Sequence, residues 1–525
     1  MTPPRQKDEL RLTGIAVVIV GCGLVAFTGV MAVLMIDGFR RHEERLTDML
    51  ATAMAVIFGG IVCIVAANVR AARRAPDAPS SPYPGETTGP SPRPPSCWSG
   101  RPTGRDPSVK VAARAAVPPF QVMSILDRVA QLRAGGRDVI SLCAGEPEGG
   151  APPDVAAAAI EAHRAGDLGY TSALGPRELR DAVAGHYRRW YGLDLTGDDV
   201  AITTGSSGAF QLAFLAAFEP GDRVALASPG YPAYRNILTA LGCQVVDIPC
   251  GVAERFQPTP ELLTAAHARA PLAGLVLASP ANPTGTMVPR EELAALTAWC
   301  DAHDVRLISD EIYHGITYPA NPASPASPAS PADSADPAAP DARGVSAWES
   351  SRTGVVVSSF SKYWGMTGWR LGWMLLPADL REAIDALAGN LALCPPVPAA
   401  RAALAAFSED SYAAADARVA ELASTRARLL DLVPSLGWGP VAPADGAFYL
   451  YADLGQALGT HPDAVAWCRA LLESQGVALV PGIDFDPTGG SRFVRLSFGA
   501  GTQAVTAAIE RIQEFQAGDG AAHRA

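Results

Sequence analysis

What this chain has little of is charge. Only 18% of its 525 residues are Asp, Glu, Lys or Arg, and the basic ones are the minority, 42 against 53. A net charge of −11 offers no basic surface for neutralising phosphates, so no nucleic-acid partner is expected. Cysteine is scarce too. Nine in 525 residues, an odd number with no Cys-x-x-Cys pair, exclude a disulfide framework and read as reduced, mostly buried thiols of a cytoplasmic compartment. No metal site is expected. Apolar residues, at 48%, are plentiful enough to bury a core, which excludes a wholly disordered chain. At ~150 residues per domain the length predicts three or four domains.

The N-terminus departs from this average. Thr13 to Ile36 is an uncharged run of 24 residues, and Met49 to Val69 is a second of 21. Each reaches the ~20 residues that a helix needs to cross a bilayer, and two such runs in succession argue against a signal peptide. The expectation is a two-helix membrane hairpin. Arg5, Lys7 and Arg11 before it and Arg70, Arg73 and Arg74 after it outnumber Arg40, Arg41 and Arg45 between the spans, which places both ends on the cytoplasmic side. Residues 75–107 carry ten prolines and read as an extended linker; residues 319–340 repeat Pro-Ala-Ser and read as a surface insertion.

From residue 111 to 516 strand-like and helical segments alternate. Ala273–Ala278, Val305–Ser309 and Gly354–Ser358 are short apolar runs, the pattern of strands buried on both faces. Arg290 to His303 reads as a helix between two of them. The alternation predicts an α/β fold with a mainly parallel sheet, in which ligands gather at the carboxyl ends of the strands.

Chemistry is therefore expected just beyond each run. Asn282 lies in Ser-Pro-Ala-Asn-Pro-Thr-Gly after the first run, and Asp310 and Tyr313 lie in Asp-Glu-Ile-Tyr after the second. After the third come Ser359-Phe-Ser361-Lys362 and then Arg370. Upstream, Gly205-Ser206-Ser207-Gly208 leads from a strand into a helix, a turn with free backbone N–H groups suited to an anion. Alone, each feature is ordinary. Together they supply a lysine, an acid, an amide, a phenol and an anion turn at equivalent strand ends. That set meets the needs of a phosphorylated aldehyde cofactor: an amine for a Schiff base, a carboxylate for a pyridine nitrogen, and donors for a phenolic oxygen and a phosphate.

In these motifs, their order and their spacing, the chain resembles the class I/II aminotransferases of pyridoxal 5′-phosphate (PLP) fold type I, from roughly Pro118 to Phe515. The resemblance implies a large cofactor domain, a smaller α+β domain and a ping-pong reaction between an amino acid and a 2-oxo acid. It implies Lys362 as the Schiff-base lysine and proton carrier, Asp310 against the pyridinium nitrogen, and Asn282 and Tyr313 on the phenolic oxygen. Ser206, Ser207, Ser359 and Arg370, with Ser361 as a further candidate, would hold the phosphate. Tyr231, in Pro-Gly-Tyr-Pro-Ala-Tyr, would stack on the cofactor, and Tyr170 would reach the phosphate of a neighbouring subunit, which implies a homodimer. Arg495, in Phe-Val-Arg-Leu-Ser-Phe, would take the substrate α-carboxylate, with Arg492 as a nearby surface charge. Gly145 falls where the family's N-terminal segment closes over substrate.

Several bacterial aspartate-specific members carry a lysine where this chain has Ser207. No cation replaces it in the turn, so neutral donors, alanine or valine with pyruvate, are expected over aspartate. A PLP-dependent β-lyase on the same fold is the alternative chemistry. A membrane-tethered regulator with a vestigial site is a third reading, set against the presence of both Lys362 and Asp310.

Overall fold

The structure, a computed structural model, describes residues 110–318 and 341–522. The expected spans 13–36 and 49–69, the linker 75–107 and the insertion 319–340 lie outside the described residues. Among the described residues no helix is long and apolar enough to cross a membrane. The flanks of the insertion are tied together: the Thr317 hydroxyl donates to the carbonyl of Ala342, and Gly315 N–H to that of Arg343 at 2.9 Å. Residues 315–317 and 342–343, on either side of the insertion, thus lie side by side.

Strand β1 (Ile140–Ser141) comes first, before the seven strands of the main sheet: β2 (Val200–Thr203), β3 (Arg223–Ser228), β4 (Gln244–Pro249), β5 (Gly274–Ala278), β6 (Arg306–Asp310), β7 (Val355–Ser359) and β8 (Gly372–Leu375). β9 (Tyr449–Asp453), β10 (Val477–Ala478), β11 (Val480–Pro481) and β12 (Phe493–Ser497) complete the set. The main sheet runs β2-β8-β7-β6-β5-β3-β4. Every pairing in it is parallel except those of β8, which lies antiparallel to β2 and β7. A small antiparallel sheet, β11-β12-β9, and the parallel pair β1-β10 lie outside it.

The three apolar runs become strands with their ends moved by one residue, and burial explains why they show no alternation. Val356, Leu275, Leu277 and Leu307 face one apolar cluster, while Val355, Val357, Val276 and Ile308 face a second on the opposite side of the sheet. Each such side chain contributes roughly 1.5–3 kcal/mol on full burial. Branching at Cβ favours the extended backbone that puts neighbours on opposite faces. The helix Gly205–Ala217 belongs to the second cluster through Ala209, Phe210, Ala213 and Phe214, a helical spacing that leaves its N-terminus at the end of β2. The expected helix after β5 spans Arg290–Ala302. The six described cysteines are all free, and all but Cys394 are buried.

Candidate active site

The carboxyl ends of β2, β3, β5, β6 and β7 open on one edge of the sheet, and the expected residues sit there. Asp310 ends β6 and is buried. Its carboxylate accepts from the Tyr234 hydroxyl and, at 3.2 Å, from the N–H of Ile312. Burial pushes Asp310 up to about 6, against the opposing pull of the Tyr234 hydroxyl, the Ile312 amide and the positive charge of Lys362. Lys362 lies just beyond β7, and its amine donates to the carbonyl of Gly145. Burial pulls that amine down to about 8, while the charges of Asp310 and Glu146 hold it up and those of Arg495 and Arg370 press it lower. The amine lies 5.7 Å from the ring centre of Tyr313.

Arg495 stands in the middle of β12, paired across to Tyr451 of β9 and Val480 of β11. It is buried, with its guanidinium 4.6 Å from the ring centre of Tyr449 and 4.9 Å from that of Phe485. One terminal nitrogen donates to the Asn282 side-chain oxygen at 2.9 Å and the other to the Cys143 carbonyl at 2.8 Å; Nε has no partner. Tyr313 and Tyr449 share a hydroxyl–hydroxyl bond of 2.8 Å. Asn282, Tyr313, Arg495 and Lys362 are therefore drawn from four separate segments into one site.

The anion turn has the shape its glycine implies. Gly205 has φ +66°, and a Cβ there would fall 2.7 Å from Nη2 of Arg370. A Cβ on Gly372 of β8 would in turn fall 2.9 Å from the N of Ser206. Two glycines thus let the guanidinium and the neighbouring strand close onto the start of the helix, where Thr204 offers no side-chain cap. Ser206 is half-buried and Ser207 exposed. Ser359, buried, accepts from the N–H of Ser361 at 3.0 Å, and its hydroxyl lies 2.8 Å from that of Ser361. Tyr231 is half-buried at the start of the helix Pro232–Leu241. Tyr170 is 82% exposed. Arg492 is an exposed charge bonded to Asp453 at 3.2 Å, apart from the site.

These residues fit a phosphorylated pyridine aldehyde. A glycine-lined cradle with a guanidinium and hydroxyls suits the phosphate, a buried acid suits the ring nitrogen, and a desolvated amine suits the aldehyde. The family model for aminotransferase class I and II matches residues 137–512. The chain belongs to this family. It is 51% identical over 403 residues to the valine–pyruvate aminotransferase of Mycobacterium tuberculosis, covering 77% of this chain and 97% of that one. It is 33% identical to the aspartate/prephenate aminotransferase of Thermus thermophilus, covering 75% of this chain and 96% of that one. A crystal structure of an aminotransferase from M. tuberculosis superposes with a TM-score of 0.72 at 50% identity, covering 78% of this chain and all of that one. The chain is a PLP-dependent aminotransferase.

The sequence does not single out Tyr234, Tyr449 or Glu146. Tyr234, which bonds Asp310, lies three positions after Tyr231, one helical turn along the same face. Tyr449, on β9, lies beneath the Arg495 guanidinium and bonds Tyr313. Glu146 accepts from the Thr367 hydroxyl at 2.8 Å, and Gly145 accepts from Lys362. The segment around Gly145 is thus pinned beside the reactive lysine.

Proposed function

We propose that this aminotransferase exchanges the amino group of a neutral L-amino acid, valine or alanine, with pyruvate as the partner oxo acid. Ser207 carries the reading: the turn at the N-terminus of the helix Gly205–Ala217 has small hydroxyls and no cation of its own for a distal carboxylate, and the Arg370 guanidinium beside it is taken by the phosphate role. The 51% identity to a valine–pyruvate aminotransferase supports it.

When bound, PLP supplies an aldehyde that condenses with amines and a ring that accepts electrons from Cα. The protein does the rest. Lys362 is the anchoring amine and, when free, the base that moves the Cα proton; lowered to about 8, a usable fraction of it is neutral near pH 7.5. Asp310, kept ionised by Tyr234 and Ile312, holds the ring nitrogen protonated. Asn282 and Tyr313 would hold the phenolic oxygen and Tyr231 the ring. Ser206, Ser207, Ser359 and Arg370 would hold the phosphate, with Tyr170 of the partner subunit completing the site in a homodimer. Arg495 takes the α-carboxylate by its planar fork, which a lysine cannot reproduce. Gly145 and its segment cover the bound substrate.

Residues 13–36 and 49–69 tether the catalytic part to a membrane with that part on the cytoplasmic side, a reading supported by the length of the runs and their basic flanks. Alanine formation from pyruvate with valine, 2-aminobutyrate, aspartate or glutamate as donor tests the substrate reading. A higher kcat/KM for valine than for aspartate is expected, and the reverse order refutes it. Activity wholly in the soluble fraction of cells expressing the full chain refutes the tether.

A further inference from the structure

Asn282 and Tyr313, the two side chains assigned to the phenolic oxygen, are each backed by a second group. Behind Asn282 stands Arg495, one terminal nitrogen of which donates to the Asn282 side chain at 2.9 Å. A guanidinium has only donors, so the atom facing it is the amide oxygen, and the amide N–H groups are left for the cofactor. Behind Tyr313 stands Tyr449, hydroxyl to hydroxyl at 2.8 Å.

Tyr449 lies on β9 two positions from Tyr451, the residue paired with Arg495, so its ring shares the Arg495 face of the small sheet, 4.6 Å from the guanidinium. A Cβ on Gly145 would fall 3.4 Å from its hydroxyl, so it also borders the segment that meets Lys362. The loop before it is firmly held. Ala444 and Ala447 have φ +52° and +55°, a strained conformation that persists only where the surroundings fix it. The buried Asp445 between them accepts from Arg255 at 2.8 Å and from the N–H of Met287 at 3.3 Å. The Tyr318 hydroxyl donates to the Ala447 carbonyl at 2.6 Å, and Gly446 N–H donates to the Gly285 carbonyl at 2.8 Å. Tyr449 therefore meets Tyr313 from a rigid mount.

The direction of the bond between the two phenols follows from their protons. Both side chains are buried, and burial raises both phenols, so each keeps its proton. Among the described residues each hydroxyl has the other as its one hydrogen-bond partner. If Tyr313 donated to Tyr449, it would have no proton to offer the phenolic oxygen. If Tyr449 donates to Tyr313, both protons are used, one between the phenols and one toward the cofactor. A hydroxyl that accepts one hydrogen bond becomes a stronger donor in the next.

We propose that Tyr449 is a positioning residue for the transfer reaction: its hydroxyl donates to that of Tyr313, holds it in the donor orientation and strengthens its bond to the phenolic oxygen. This inference rests on the placement of Tyr313 against that oxygen and adds the group behind it. The consequence is spectroscopic. The phenolic oxygen shares the proton of the Schiff-base nitrogen at Lys362, and each donor to that oxygen makes it a poorer acceptor for that proton. The visible band therefore titrates at a lower pH with the Tyr449 hydroxyl in place.

The test is a pH titration of the Lys362-dependent visible band in the full-length holoenzyme, without substrate, for wild type, Tyr449→Phe, Tyr313→Phe and the double variant. Phenylalanine at 449 keeps the buried ring beneath Arg495 and removes only the hydroxyl. Tyr313→Phe is expected to raise the midpoint by roughly one to two units, the loss of a hydrogen bond to a charged acceptor. Tyr449→Phe is expected to raise it by roughly half a unit, the cooperative share of that bond. The double variant should titrate with Tyr313→Phe, because Tyr449 acts only through the Tyr313 hydroxyl. An unmoved midpoint in Tyr449→Phe overturns the proposal. So does an equal shift from Tyr449→Phe in both backgrounds, which a general displacement of the strand would produce. An unmoved midpoint in Tyr313→Phe refutes the placement of Tyr313 itself, and the role of Tyr449 falls with it.

Discussion

Replacing Tyr234 with phenylalanine tests how the site keeps Asp310 ionised. The substitution removes one hydroxyl and little else, since the Tyr234 ring packs edge-on against Phe210 at 5.0 Å, a contact that phenylalanine retains. Asp310 is already pushed up to about 6 by burial with that hydroxyl in place. A hydrogen bond to a charged acceptor is worth roughly 1.5–3 kcal/mol, and one pKa unit is about 1.4 kcal/mol, so its loss moves Asp310 up by roughly one to two units. An acid raised in the folded state binds more protons folded than unfolded. The contribution of Asp310 to apoenzyme stability therefore falls as pH rises from 3.8 to about 6 in wild type, and the fall extends to higher pH in the variant. The assay is PLP affinity of the apoenzyme against pH, monitored by tryptophan fluorescence. Wild-type affinity is expected to weaken below about pH 6. In Tyr234→Phe the weakening should begin roughly one to two pH units higher, with kcat/KM at pH 7 reduced roughly two- to tenfold as the ionised fraction of Asp310 falls. Superimposable profiles would refute the assignment of Tyr234 to Asp310.

Three further perturbations probe the same geometry. Arg495→Lys keeps the charge but loses the fork over Tyr449 and Phe485, and steady-state kinetics should show kcat/KM for valine reduced roughly a hundredfold, most of it in KM. Gly205→Ala forces a Cβ to within 2.7 Å of Arg370 at φ +66°, so a PLP titration should show affinity weakened by at least roughly tenfold. Glu311 and His314 lie 3.6 Å apart, but burial raises the acid to about 8 and lowers the imidazole to about 3, so at pH 7 both are neutral and form no ion pair. The Glu311 contribution to stability should therefore fall as pH rises from 4.5 to about 8, against the opposite contribution of His314 up to pH 6.5, so the wild-type urea midpoint should fall relative to that of Glu311→Gln across the range.

How much was legible in the sequence depended on the range of the contact. Strands β5, β6 and β7 were readable because each is a run of apolar residues in which successive side chains meet different cores, so no polar residue interrupts it. Asn282, Asp310, Ser359 and Lys362 were readable because each sits on or just beyond the end of such a strand. Arg492, expected as a surface charge, is exposed and lies just before the strand's buried positions. The partners of these residues were not readable in the same way. Tyr449 reaches Tyr313 across 136 positions. It carries no local pattern, since a tyrosine on a buried strand is ordinary until the fold brings its partner to it. Tyr234 came nearest to visibility, being one helical turn from Tyr231, whose motif marks it in the sequence.

The most direct measurement of the central claim is a single-turnover spectrum. The purified full chain, loaded with PLP, is mixed with valine in the absence of any oxo acid, beside Lys362→Ala prepared in the same way. Loss of the Lys362-dependent visible band, with one equivalent of 2-oxoisovalerate released per site and pyridoxamine phosphate left behind, is the predicted result. No change with valine, but release of ammonia and pyruvate from serine or cysteine with the pyridoxal form restored, would mean elimination rather than transfer. A folded wild type with no Lys362-dependent band would contradict the account outright.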